Sequence, residues 1–167
     1  MLLAYVFYFF LALLLHELGH LAAAHACGVT VSELSLGWGP KLFSLRFNGV
    51  DYTLRLLPVG AYVRLDLNEL RVRPLGQQVV VLLAGIIVNL VAASATSGTH
   101  FSGMNFLLAA TNILPLYQQD GWKCGMVTLR SVLGRKSSFV EWTFTIAGSG
   151  LSIVVFAAFF LRLFHSR

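Results

Sequence analysis

The strongest chemical signal in the sequence is a pair of histidines with a glutamate beside the first of them. His16, Glu17 and His20 form the pattern HExxH. On a helix, histidines four residues apart lie on one face and can bind a single zinc ion, and the glutamate can act as general base on a water molecule at the metal. The spacing predicts the centre of a zinc peptidase. The rival interpretation is a polar network that packs helices together.

A catalytic zinc ion needs a third protein ligand, and its fourth position holds water. Asp120 is the candidate, because it ends an apolar stretch in which Pro115 removes a helical hydrogen bond and Gly121 relaxes the backbone. At about 1.5 Å per residue, His16, His20 and Asp120 fall at similar depths from the outer ends of their stretches. The three side chains are therefore expected to meet.

Four apolar stretches must position these side chains. The 167 residues are 57% hydrophobic and 11% charged, with a mean hydropathy of +0.76, which is typical of a membrane protein. Stretches of about the length that crosses a bilayer cover residues 1–26, 79–97, 104–119 and 142–164. The predicted fold class is a membrane α-helical protein with about four transmembrane helices, forming a single domain over residues 1–167. A signal peptide is disfavoured for the first stretch, which lacks a basic start and contains the HExxH pattern.

A β-rich loop is predicted between the first two stretches, over about residues 30–66. Residues 41–47 and 50–57 are rich in β-branched and large apolar side chains, and they flank Asn48-Gly49, a dipeptide suited to a tight hairpin turn. Residues 31–36 and 59–65 are expected to add strands on either side. The sequence therefore predicts a β-hairpin in a loop that is either cytosolic or re-entrant. Its exposed strand edge could bind a substrate segment by strand addition, and simple packing is an equal alternative.

The distribution of lysine and arginine predicts the orientation in the membrane. Basic loops near helix ends prefer the cytosolic side. Ten of the twelve basic residues lie in the loops after the first and third stretches: Lys41, Arg46, Arg55, Arg64, Arg71 and Arg73, then Lys123, Arg130, Arg135 and Lys136. Arg162 and Arg167 oppose this orientation. The expectation is a multi-pass integral protein of the cell membrane, with its active site toward the cytosol.

Other functional classes fit the composition poorly. Cys27 and Cys124 have no CxxC spacing, so neither a disulfide framework nor a thiolate zinc site is predicted. The net charge of +5 could indicate nucleic acid, but the basic residues are not clustered with stacking aromatics. No nucleic-acid partner is expected.

Two motifs together resemble the site-2 proteases, the intramembrane zinc metalloproteases of peptidase family M50. That family carries HExxH in its first core helix and NxxPxxxxDG in its third, matched here by Asn112, Pro115, Asp120 and Gly121. Further likenesses are residues 39–42, residues 58–63, and the Ala-Gly pair at 84–85 followed by an asparagine at 89. The sequence departs from the family pattern at four positions: Ala61, Ile86, Gln119 and Trp122. None of these is a proposed ligand.

The resemblance implies a role for individual residues. It implies that His16, His20 and Asp120 bind zinc. It implies that Glu17 is the general base. Asn89 and Asn112 are implied to position substrate or to stabilise an oxyanion. One Zn²⁺ per chain is expected. The chain has no room for the PDZ or nucleotide-sensing (CBS) domains of some members, so a minimal catalytic core is expected.

The expected function is zinc-dependent cleavage of transmembrane segments, as in regulated intramembrane proteolysis. Expected partners are transmembrane peptide or protein substrates, the lipid bilayer and a regulatory membrane protein. The alternative is a catalytically silent adaptor that binds transmembrane helices without cutting them, and the intact Glu17 argues against it. A metal carrier would need polar residues along a path through the helices, and most of the seven acidic residues lie outside the apolar stretches.

Overall fold

The computed structural model describes residues 2–133 and 138–165. Within these residues the chain forms, in order, α1 (Leu2–Ala26), β1 (Val31–Phe47), β2 (Val50–Leu65), α2 (Leu67–Val72), α3 (Leu75–Ala95), α4 (His100–Ile113), α5 (Asp120–Leu133) and α6 (Ser138–His165). The long helices coincide with the apolar stretches, and the strands fill the loop between the first two of them. Arg135, Lys136 and Arg167, which entered the prediction of orientation, lie outside the described residues.

Three helices in the described part of the chain are long and apolar enough to cross a membrane: Leu3–Ala26, Leu75–Ala95 and Ser138–Val155. They fit a membrane helical protein. α4 has 14 residues, which at about 1.5 Å per residue is shorter than the roughly 30 Å of a hydrocarbon core. The count of four spanning helices therefore stays a prediction.

The predicted bounds of 104–119 implied a single helix over the third apolar stretch, but the structure has a break there. α4 begins at His100 and ends at Ile113, and Leu114 adopts an extended backbone with φ −64° and ψ 144°. That conformation is expected immediately before Pro115, because a following proline ring disfavours helical backbone. The chain then turns, with a positive φ of 72° at Gln118, and α5 begins at Asp120. The predicted boundary was wrong, although the predicted break near the proline is present.

The two strands form the predicted hairpin. Asn48 and Gly49 have φ values of 48° and 83°, as a tight turn between antiparallel strands requires. The two long strands also pair with each other more than once. Residues 33–36 pair with 61–64 along one side and with 51–54 along the opposite side. Residues 43–47 pair with 50–54. The sheet therefore has four segments side by side, in the order 43–47, 50–54, 33–36 and 61–65. The strands predicted at 31–36 and 59–65 are continuations of the hairpin strands. Their predicted placement on either side of the hairpin was wrong, because both lie on the 50–54 side of it, with 33–36 as an inner segment.

One face of the sheet packs on the helices. Leu34 and Val50 belong to a buried cluster with Leu21 of α1 and Val81 of α3. Burying these side chains fixes the sheet against the end of α1 that carries the two histidines. The opposite face, which we call the polar face, is built around Glu33, a residue only 4% exposed.

Candidate metal centre

His16 and His20 lie on the face of α1 that packs against α3. Both are buried, at 4% and 7% exposure. Two glycines allow this close approach: a Cβ on Gly19 would lie 2.8 Å from the Ala84 carbonyl oxygen, and a Cβ on Gly85 would lie 2.6 Å from His20 Nε2. These distances are shorter than real Cβ contacts, so any larger residue would push the helices apart.

Asp120 reaches the histidines from the first turn of α5. Its Oδ2 lies 2.9 Å from His16 Nε2 and 3.0 Å from His20 Nε2, and the residue is 5% exposed. A Cβ on Gly121 would overlap the carbonyl oxygen of Ile113. Glycine therefore allows α5 to begin directly beside the end of α4. The break in the third apolar stretch thus delivers the carboxylate to the helix pair.

The three side chains fit a zinc ion. Their ligand atoms all lie within 4.8 Å of one another, and His16 Nε2 and His20 Nε2 are 3.2 Å apart. Ligand atoms about 2.0–2.1 Å from a tetrahedral zinc ion lie about 3.3 Å from each other, close to the observed separations. Two imidazoles and one carboxylate form a known catalytic zinc set, in which the fourth position is left for water.

Hydrogen bonds behind the rings orient both histidines. His16 Nδ1 donates to Asn89 Oδ1 at 2.6 Å, and His20 Nδ1 donates to the carbonyl oxygen of Val81 at 2.7 Å. A hydrogen on Nδ1 leaves a lone pair on Nε2 of the neutral ring, and that lone pair points toward Asp120. α3 thus selects the tautomer in which both Nε2 atoms can bind a metal.

Asn89 is itself held by a network of buried amides. Its Nδ2 donates to the Ala12 carbonyl oxygen at 3.0 Å and to Asn105 Oδ1 at 2.8 Å. Asn105 Nδ2 donates in turn to the Phe101 carbonyl oxygen at 2.9 Å, and both asparagines are fully buried. Both amide hydrogens of Asn89 are therefore occupied, and its oxygen faces His16. Its predicted contact with substrate or an oxyanion stays a prediction.

Sequence comparison establishes the family. The model described as peptidase family M50 matches residues 4–103, which is more than half of the chain. The protein belongs to peptidase family M50. The matched range contains the HExxH pattern and Asn89 but ends before Asp120, so the case for Asp120 as a ligand in this M50 protein depends on the geometry above.

Relatives of this M50 protein carry protease or metalloprotease names. Regulator of sigma-W protease RasP of Bacillus subtilis (strain 168) is 42% identical over 74 residues, which is 42% of this chain and 18% of RasP. Probable membrane metalloprotease ARASP2, chloroplastic, of Arabidopsis thaliana is 36% identical over 95 residues, 50% of this chain and 22% of that protein. A putative zinc metalloprotease of Synechocystis sp. is 38% identical over 90 residues, 47% of this chain and 25% of that protein. The chain thus matches a quarter or less of the length of these relatives.

A cavity of about 630 Å³ opens beside the three ligand residues of the M50 protein. Glu17, the predicted general base, and Asn112, a predicted substrate contact, both line it. Lys123 lines it as well, and its Nζ donates to Asp120 Oδ1 at 3.0 Å. Sequence reasoning counted Lys123 only as a loop charge. Its position three residues after an aspartate was the available signal, since that spacing brings opposite charges together on a helix.

Proposed function

We propose that this protein is a zinc-dependent endopeptidase that cleaves transmembrane segments of other membrane proteins. The observation that carries the proposal is the convergence of His16, His20 and Asp120, with Glu17 beside them, in one cavity among apolar helices. Ionisable groups in spanning helices are costly, which favours a functional role. Membership of family M50 and the names of the relatives support the same reaction class.

The residues divide the chemistry between them. His16, His20 and Asp120 would hold a zinc ion, which would supply an activated water molecule and polarise the peptide carbonyl. Glu17 accepts the proton of the attacking water and returns it to the leaving amine. Lys123 holds one oxygen of Asp120, so that the other oxygen stays directed at the two histidines. One zinc ion per chain is sufficient for this arrangement.

The substrate is proposed to bind as an extended segment along the edge of the sheet. A helical peptide bond is shielded, so a transmembrane substrate must unwind before hydrolysis. The edge segment 61–65 lines the same cavity as the ligand residues, and its outer side is unpaired within the described residues. Strand addition there would satisfy the backbone of an unwound segment with little demand on its sequence. Single-span regulatory or signal-derived membrane proteins are the proposed substrates.

The proposed setting is the cell membrane, with the metal centre toward the cytosol. The basic loops favour this orientation. The hairpin tip also exposes large apolar side chains, each between 57% and 61% exposed: Leu42, Phe43, Leu45 and Phe47. An exposed apolar group of this size is typical of a surface that meets lipid or protein, which supports a hairpin that re-enters the membrane interface.

The decisive experiment combines zinc content with peptide cleavage on the purified protein in detergent. Wild type, Glu17→Gln and Asp120→Ala are each given a panel of single-span peptides. Wild type should hold one zinc ion and cut within the span. Glu17→Gln should keep zinc and cut about 10²–10⁴-fold more slowly. Asp120→Ala should lose zinc and activity together.

Two results would contradict the protease proposal. If wild type binds no zinc, or if Glu17→Gln cuts as fast as wild type, the assigned chemistry is wrong. If zinc and peptides both bind without cleavage in wild type, the silent adaptor takes its place. Glu69→Gln is a matched control, because Glu69 pairs with Thr30 outside the cavity and should retain both zinc and activity.

A further inference from the structure

A row of charged side chains crosses the polar face of the sheet. In the pairing register Arg46 is opposite Asp51, Asp51 is opposite Glu33, and Glu33 is opposite Arg64. The two acids lie on the inner segments, and the two arginines lie on opposite edges. An edge residue has a cross-strand neighbour on one side only. Each arginine can therefore take one more partner from an added strand.

The carboxylate of Glu33, at the centre of the row, already has several hydrogen-bond and ion-pair partners. Burial of Glu33 opposes its ionisation, but hydrogen bonds from Arg55, Thr53 and Tyr62 outweigh burial and lower its pKa to about 2. Arg55 Nη2 lies 2.8 Å from Glu33 Oε1, and Arg64 Nη2 lies 3.2 Å from Oε2. Arg55 also donates to the Gly39 carbonyl oxygen and to Ser35. All three guanidinium nitrogens of Arg55 thus make a hydrogen bond, whereas the ion-pair partner of Arg64 is an acid that it shares.

The polar face as a whole has a surplus of positive charge. It carries four basic and two acidic side chains: Lys41, Arg46, Arg55 and Arg64 against Glu33 and Asp51. Lys41 Nζ lies 3.7 Å from Glu33 Oε1, so three cations share one carboxylate. The side chain of Arg55 is 16% exposed and that of Arg64 is 62% exposed. Arg64 is therefore able to bind a further anion at little desolvation cost.

Only one of the two edge arginines lies at the proposed substrate path. Arg64 lines the cavity of the metal centre, and Arg46 is not among the residues that line it. Arg64 also lines an adjoining cavity of about 440 Å³ that includes Tyr62 and Trp38. The guanidinium of Arg64 lies 5.8 Å from the centre of the Tyr62 ring, which positions it beside this space. A carboxylate side chain has room to enter.

We propose that Arg64 forms a subsite for an aspartate or glutamate side chain of the bound substrate. The inference rests on the proposed function, because it requires a substrate segment along the edge 61–65. Alternate side chains of an added strand point to the same face, so one substrate position should show the preference most strongly. An opposite-charge pair across neighbouring strands corresponds to about a two- to fivefold effect on affinity.

The test is a charge scan of the substrate against paired arginine variants. A single-span peptide is made with Glu, Gln or Lys at each position on either side of the cleaved bond. Cleavage is measured as kcat/KM with wild type, Arg64→Gln, Arg64→Glu and Arg46→Gln, and binding of the same peptides is measured with Glu17→Gln. At one position wild type should favour Glu over Gln by about two- to fivefold. Arg64→Gln should remove the preference, Arg64→Glu should favour Lys, and Arg46→Gln should change nothing.

Each outcome decides for or against the subsite. Equal cleavage of all peptides, or a preference that survives in Arg64→Gln, overturns it and leaves the protease proposal standing. An Arg64→Gln effect that is the same for every peptide also overturns it, and indicates that Arg64 acts through its ion pair with Glu33 instead. Charge-dependent binding without cleavage by wild type supports the subsite and contradicts the protease. If no peptide binds or is cut, both proposals fall.

Discussion

The metal centre and the polar face of the sheet are both built around one buried carboxylate, and they differ in what surrounds it. Asp120 and Glu33 are 5% and 4% exposed. Glu33 accepts hydrogen bonds from a guanidinium and two hydroxyl groups, all of which carry hydrogens toward it. Asp120 faces two imidazole nitrogens whose rings donate their Nδ1 hydrogens elsewhere.

The comparison distinguishes a structural carboxylate, Glu33, from a proposed metal ligand, Asp120. Around Glu33 the protein supplies every donor itself, so the cluster is complete and stabilises the sheet. Around Asp120 two lone pairs and a carboxylate oxygen converge on one point. Three acceptors that meet in this way are suited to bind a cation. The two carboxylates are equally buried, so the direction of the surrounding hydrogens is what distinguishes the candidate metal site from the cluster around Glu33.

A substitution at Gly85 is expected to disturb the candidate metal centre most strongly. In Gly85→Ala the new methyl group would lie 2.6–2.7 Å from ring atoms of both histidines, so the rings must leave their positions. We expect zinc affinity to fall by more than the roughly 10–100-fold typical of losing an outer hydrogen bond. Chelator competition measures it. Gly76→Ala in the same helix is the control, because a Cβ there meets nothing within 4 Å. Equal zinc affinity in the two variants would show that the packing at α3 is unimportant.

A smaller effect should follow from removing the outer hydrogen bond of one histidine. Asn89→Leu takes away the acceptor of the His16 Nδ1 hydrogen and should weaken zinc binding by about 10–100-fold. Asn112→Leu is the control. It removes the same amide group from a residue whose Nδ2 donates to the Leu108 carbonyl oxygen of its own helix. That variant should bind zinc like wild type. A matching loss in both variants would argue for general destabilisation rather than orientation of the ring.

The smallest expected effect is on the stability of the sheet, and it concerns the structural carboxylate of Glu33. The pKa of Glu33 is about 2 in the folded protein and about 4.3 in an unfolded chain. Its contribution to stability is therefore complete above about pH 4.3 and is lost as the pH falls toward 2. Hydrogen exchange of the amides of residues 33–36, corrected for intrinsic rates, should show easier opening at pH 3 than at pH 6. Glu33→Gln should be less stable and should show a flatter pH dependence, and a dependence equal to wild type would contradict the assignment.

Local patterns in the sequence predicted much of both regions. The i, i+4 spacing places His16 and His20 on one helix face, and Asn48-Gly49 fixes the hairpin turn. Asp66 could also have been used, since it caps α2 by accepting from the backbone of Asn68 and Glu69, which is a common start signal.

Contacts between distant elements escaped prediction. The register that sets Glu33 between two segments of β2 follows from how the long strands fold back, and no short pattern encodes it. Asn105 and Gly85 likewise owe their roles to the closeness of α1, α3 and α4. The end of α4 was displaced in the prediction because apolar character continues past the proline, although helical backbone does not.

The separation of the metal ligands along the chain has a consequence for biogenesis. Two ligands belong to α1, and Asp120 follows His20 by 100 residues. At about 5–20 residues per second, a ribosome needs about 5–20 seconds to pass from the second histidine to the aspartate. The nascent protein therefore enters the membrane with an incomplete metal site. On the proposed function, proteolytic capacity would arise only after α5 has been made and has docked, so the insertion machinery would meet the chain while it is still inactive.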